Sequence, residues 1–78
     1  MALEVRLFAT LRNYFPEAPG GVLAVEDTTA GTLRELITNL KLNPDEIKIF
    51  MVNGVQADLS SEIKDGDRIG LFPPVGGG

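Results

Sequence analysis

The 78-residue chain contains no cysteine and no histidine. Without cysteine there is no disulfide, no zinc ribbon, no iron–sulfur cluster and no thiol nucleophile. Without histidine the commonest general base and the commonest metal ligand are missing too. A conventional hydrolase or metalloenzyme is therefore not expected. Basic charge is also scarce: 7 Lys and Arg stand against 11 Asp and Glu, for a net charge of −4. Nucleic acid and anionic membrane are poor partners for such a chain, because binding them requires a basic face. An acidic domain more naturally meets a basic protein surface, which speeds encounter. No apolar run approaches the roughly 20 residues of a membrane span. Met1-Ala2-Leu3-Glu4 lacks the basic segment and long apolar stretch of a signal peptide, so a cytoplasmic location is expected.

What is present is globular composition, 44% hydrophobic and 23% charged, in a length that holds one small domain. Such a chain buries only roughly 60% of its unfolded surface, so its margin of stability is thin. Leu3, Val5 and Leu7 alternate with Glu4 and Arg6, which predicts a strand over 2–8, with Phe8 breaking the alternation at the sheet end. Residues 9–21 read as a connection, broken by Thr10, Asn13, Pro16, Pro19 and Gly20-Gly21, whose Leu11, Tyr14 and Phe15 pack back onto the domain. Val22 to Val25 is the apolar run of a second strand over 21–26.

Leu33, Leu36, Ile37 and Leu40 stand at helical spacing and predict a helix over 32–41 with one apolar stripe. Thr32 and Glu35 have the spacing of a capping box, Thr29 is a competing N-cap, and Asn43-Pro44 is the expected stop. A β-branched run predicts a strand over 47–52, Asn53-Gly54 a tight hairpin, and 55–59 its returning strand. Asp65-Gly66-Asp67 marks a turn before a last strand over 68–72. The order β-β-α-β-β-β is that of an α+β domain with one helix laid across a mixed sheet. A parallel pairing of the first and last strands at the sheet centre is compatible with this order, though periodicity does not reveal it.

Few residues offer chemistry of their own. Asp45, Glu46, Glu62, Asp65 and Asp67 fall on turns and read as solvated charge, and Ser60-Ser61 has no base to activate it. None of the nine glycines forms a phosphate-binding loop. Arg6, Arg12, Arg34 and Arg68 are scattered over four segments.

The unusual feature is the end of the sequence. Residues 1–72 form the domain, and Pro73-Pro74-Val75-Gly76-Gly77-Gly78 form an extended tail. The prolines end sheet pairing and stiffen the stalk, and the glycines carry no side chain and much conformational freedom. Six extended residues reach roughly 20 Å. A bare backbone of this kind suits passage through a narrow tunnel in a partner enzyme, which presents the terminal carboxylate to it. A carboxylate is a poor electrophile. Activation with ATP as an acyl-adenylate lets a sulfur donor displace AMP and leave a thiocarboxylate.

The segment from Lys64 to Gly78 closely resembles the end of the MoaD-type sulfur carriers, the small subunits of molybdopterin synthase, whose tails read DGD, a short apolar run, then PPV-x-GG. Ala9-Thr10-Leu11-Arg12, Thr32-Leu33-Arg34-Glu35-Leu36 and Val52-Asn53-Gly54 are similar to that family's stretch after the first strand, its helix start and its hairpin. The resemblance implies a ubiquitin-like β-grasp fold for a subunit without catalysis of its own and without a permanently bound cofactor. It implies that Gly78 is adenylated with ATP by a ubiquitin-activating-like adenylyltransferase, then thiocarboxylated with sulfur from a sulfurtransferase or cysteine desulfurase. The sulfur goes to cyclic pyranopterin monophosphate to build the molybdopterin dithiolene. The implied partner is the MoaE-like large catalytic subunit, in a heterotetramer of two large and two small subunits.

Carried over by position, Gly77, Gly76, Val75, Pro74 and Pro73 serve tail recognition, and Phe72, Arg68 and Arg12 are candidate docking residues. Two positions depart from the pattern. Gly76 occupies the variable site before the diglycine, and Gly70 is smaller than the usual apolar residue of the last strand, leaving a shallow spot on the docking face. Related carriers for thiamine thiazole synthesis, cysteine synthesis, tRNA thiolation or ubiquitin-like protein modification share the fold, but Pro73-Pro74 favours the molybdopterin type. A non-covalent β-grasp adaptor is the reading in which the tail does nothing.

Overall fold

The computed structural model describes residues 2–74. Strand β1 (Leu3–Leu7) follows from its alternation: Leu3, Val5 and Leu7 are buried, and Arg6 is exposed. It pairs antiparallel with β2 (Val22–Val25), with Val5 opposite Leu23, and parallel with β5 (Arg68–Phe72), with Val5 beside Ile69 and Leu7 beside Leu71. β3 (Ile49–Val52) and β4 (Val55–Ala57) form the hairpin, and β3 pairs antiparallel with β5. The sheet order is β2-β1-β5-β3-β4, so the first and last strands lie side by side near its centre.

Helix α1 (Leu33–Asn39) crosses one face, and Leu33, Leu36 and Ile37 join Val5, Leu7, Ile69 and Leu71 in a single core. The Thr32 hydroxyl caps it by accepting the Glu35 N–H at 3.3 Å, whereas the Glu35 carboxylate accepts from Gly31, one residue earlier than in the usual box. Thr29 plays no part in this cap. The Leu59 and Ser61 carbonyls accept the next free N–H groups of the first turn, from Arg34 and Leu33, and tie the β4–β5 connection to the helix.

The helix ends before the expected proline. Lys41 adopts φ 61°, its N–H donates to Thr38 and the Leu42 N–H donates to Ile37 at 3.1 Å. This is a Schellman ending; it turns Leu42 into the core. Pro44 instead opens a short 3₁₀ turn (Pro44–Glu46), where the Asn43 side chain accepts the Asp45 N–H at 2.9 Å. That turn also delays β3: the Ile47 N–H closes on Pro44, so pairing begins two residues later than the β-branched run suggests.

The hairpin is as expected, with positive φ at both Asn53 and Gly54. β4 stops at Ala57 rather than residue 59, because the Asp58 side chain accepts the Ser60 N–H at 2.8 Å and turns the chain away. Residues 9–21 are largely two 3₁₀ segments, Ala9–Tyr14 and Pro19–Gly21. Leu11 is buried and Phe15 packs against the core, but Tyr14 does not pack back. It remains 37% exposed, because its hydroxyl donates to the Glu46 carboxylate at the surface.

Candidate functional site

The tail leaves the domain from β5, a strand held on both sides. The Phe72 carbonyl accepts the Lys48 N–H at 2.7 Å and the Leu71 carbonyl accepts the Phe8 N–H at 3.2 Å. The exit point is thus anchored by the rigid centre of the sheet. Pro73 and Pro74 belong to no strand, as residues without an N–H require. With Thr10, Asn13, Tyr14, Asp45 and Glu46 they line a shallow depression where the tail begins. The Tyr14 hydroxyl holds its proton above the ordinary range because it donates to Glu46. Val75, Gly76, Gly77 and Gly78, which carry the proposed chemistry, lie outside the described residues.

The second part of the site is the sheet face opposite α1. Strand alternation sends Glu4, Arg6, Arg68, Gly70 and Phe72 to it from the two central strands, and Ile49 and Met51 from β3. Phe8 follows β1 in the same phase and stacks on Phe72, ring centroids 4.2 Å apart. A depression of about 320 Å³ lies over Gly70, walled by Phe8, Phe72 and Met51 and flanked by Arg6 and Arg68. Two of the expected docking residues, Phe72 and Arg68, therefore share one face with the shallow spot at Gly70. Arg12 does not line it. Its Nε donates to the Leu7 carbonyl at 3.4 Å and its side chain lies against Gly21, so it braces the connection after β1.

Phe8, Met51 and Arg6 complete the face and were not singled out from the sequence. Phe8 carried a signal, since it falls in the outward phase of Glu4 and Arg6. The turn carboxylates do more than solvate. Asp65 accepts the Ala2 N–H at 2.7 Å, and Asp67 accepts from Lys64 and from the Asn53 side chain, tying the hairpin to the turn before β5. Asp58 is held below its ordinary pKa by the Ser60 hydroxyl and N–H. These groups shape turns and form no acid–base pair with one another.

Residues 5–78 match the model of the ThiS family. No curated protein matches the chain. Among solved structures, SAMP1 from Haloferax volcanii is 26% identical with a TM-score of 0.66, the alignment covering 100% of each chain. A putative molybdopterin converting factor subunit 1 from Pyrococcus furiosus is 26% identical with a TM-score of 0.70, over 96% of this chain and 99% of that one. In a complex of subunits 1 and 2 of the molybdopterin-converting factor from Helicobacter pylori, the matching chain is 28% identical with a TM-score of 0.63, each chain covered in full. The fold is accordingly the β-grasp of these proteins, and the chain belongs to the ThiS family of MoaD/ThiS-type, ubiquitin-like sulfur carriers.

Proposed function

We propose that this chain is the sulfur-carrying small subunit of a molybdopterin synthase, acting in the cytoplasm. The observation that carries this reading is the sequence where β5 ends: Phe72, then Pro73-Pro74-Val75, then three glycines. An adenylating enzyme joins the Gly78 carboxylate to the AMP portion of ATP with loss of pyrophosphate. Sulfur from a sulfurtransferase or cysteine desulfurase then displaces AMP and leaves the thiocarboxylate. The domain contributes presentation. β5 holds the tail root, the prolines direct it outward, and the glycines let it enter the large subunit, where the sulfur passes to cyclic pyranopterin monophosphate. The likeness to subunit 1 of two molybdopterin-converting factors supports this choice among the ThiS-family roles.

Intact-mass spectrometry of the protein recovered from its own cells tests the reading. A mass gain equal to replacing one terminal oxygen by sulfur is expected, together with a co-purifying large subunit. A wholly unmodified terminus with no such subunit would overturn it. The likeness to SAMP1, a modifier protein, favours a second reading in which Gly78 is joined to other proteins. Higher-mass species that keep this chain under reducing and denaturing conditions would be its signature.

A further inference from the structure

Gly70 leaves a notch in the open sheet face at a place where a side chain would fit. A Cβ built there meets Met51 Cβ and Phe72 Cε1 at 3.5 Å and Phe8 Cε2 at 3.8 Å, all ordinary contacts, and the backbone is not left-handed. Neither space nor strand geometry therefore requires glycine here, and glycine in a strand weakens it. The notch is small for a free ligand and open along the face, which suits a side chain presented by another protein.

The charge around it is distinctive. The five strands carry only Glu4, Arg6 and Arg68 as charged residues, two positive and one negative, in a chain of net charge −4. Glu4 is engaged with Arg6 Nε at 2.7 Å, while Arg68 has no ion pair among the described residues. An apolar hollow with an unpaired arginine at its rim is complementary to an apolar side chain with a carboxylate beside it. This refines the expectation from overall charge: the chain is acidic, but its open face is locally basic.

We infer that the Gly70 notch is a specificity-determining docking point for the large subunit, receiving one bulky apolar side chain between Phe8, Phe72 and Met51, with a neighbouring carboxylate of that subunit on Arg68. The inference rests on the synthase reading above. Phe72 is the last residue of β5, so a knob seated here fixes where the tail starts. The large subunit's sulfur-accepting centre then lies within the roughly 20 Å that six extended residues span.

The test is calorimetric titration of the purified large subunit from the same organism into wild-type chain, Gly70→Ala, Gly70→Leu and Arg68→Glu, with thermal melts of each. Binding should weaken in the order Ala, then Leu, with Gly70→Leu losing about tenfold or more, as expected for a filled hot-spot pocket. Gly70→Ala should melt no lower than wild type, which a merely structural glycine would not allow. Arg68→Glu should lose affinity and flatten the salt dependence. Unchanged binding by both Gly70 variants would overturn the notch, and absent wild-type binding, or loss of adenylation alone, would overturn the choice of partner. The carrier reading is read separately, from the thiocarboxylate on wild-type protein, and stands or falls independently of these affinities.

Discussion

Phe8 and Phe72 stack with ring centroids 4.2 Å apart and planes within 6° of parallel, on the side of the sheet that the helix leaves open. One ring follows the first strand and the other ends the last, so the pair clasps the two parallel strands beside the tail root. Stacked aromatic pairs contribute about 0.5–1.5 kcal/mol beyond the area they bury. A double-mutant cycle of Phe8→Ala and Phe72→Ala in urea denaturation should return a coupling in that range. A coupling near zero would mean that the rings share a surface without holding the strands together.

Gly21 and Gly70 should respond to alanine with opposite signs. Gly21 has φ 76°, and a Cβ there would stand 2.5 Å from the Leu7 carbonyl oxygen. Left-handed strain and a backbone clash together predict a loss on the order of 2–3 kcal/mol for Gly21→Ala. Gly70→Ala meets only ordinary contacts and should gain about 0.5–1 kcal/mol by removing glycine from a strand. Equilibrium unfolding of the two variants checks both signs in one experiment.

The last strand was legible to the residue, because Asp65-Gly66-Asp67 and Pro73 bracket it with groups that cannot continue a ladder. The hairpin was legible for the same local reason, in Asn53-Gly54. The helix end was not. It is set by burial of Leu42, which forces Lys41 into a left-handed conformation that its residue type does not advertise. Tyr14 misled because an aromatic ring suggests burial, whereas a carboxylate 32 residues away holds its hydroxyl at the surface. The docking face was half legible. Phe72, Arg68 and the small Gly70 stood out in β5, but Met51 and Arg6 join them only through the register of β1, β5 and β3, which is long-range pairing. Arg12 looked like a free cation until its bond to the Leu7 carbonyl was placed.

Asp58 should titrate below the ordinary carboxylate range. The Ser60 hydroxyl is the largest cause, followed by the Ser60 N–H, and Ser61 adds to them. A folded-state pKa lowered in this way adds stability above the unfolded pKa, and that contribution disappears as pH falls through the folded value. The turn that ends β4 should therefore loosen only in strong acid. Ser60→Ala removes the hydroxyl and leaves the N–H, so the pKa should rise part of the way back. Side-chain NMR titration of the two proteins measures the difference, and an unmoved Asp58 would contradict the assignment to Ser60.

Changes at the tail should separate function from folding. The core draws on residues from Leu3 to Leu71, and none of Pro73 to Gly78 belongs to it. Replacing Gly77 by tryptophan, or appending residues after Gly78, should therefore leave circular dichroism and the melting temperature unchanged. Adenylation should be lost in both, the first because the ring blocks a narrow passage, the second because the carboxylate is masked in a peptide bond. Replacing Pro73-Pro74 with two glycines should be milder: activation persists, while sulfur transfer slows, because a looser stalk spends less time pointed at the partner. Monitoring pyrophosphate release and terminal thiocarboxylate by mass spectrometry distinguishes these stages. A tagged chain that still forms the acyl-adenylate would show that the reactive group is not the Gly78 carboxylate.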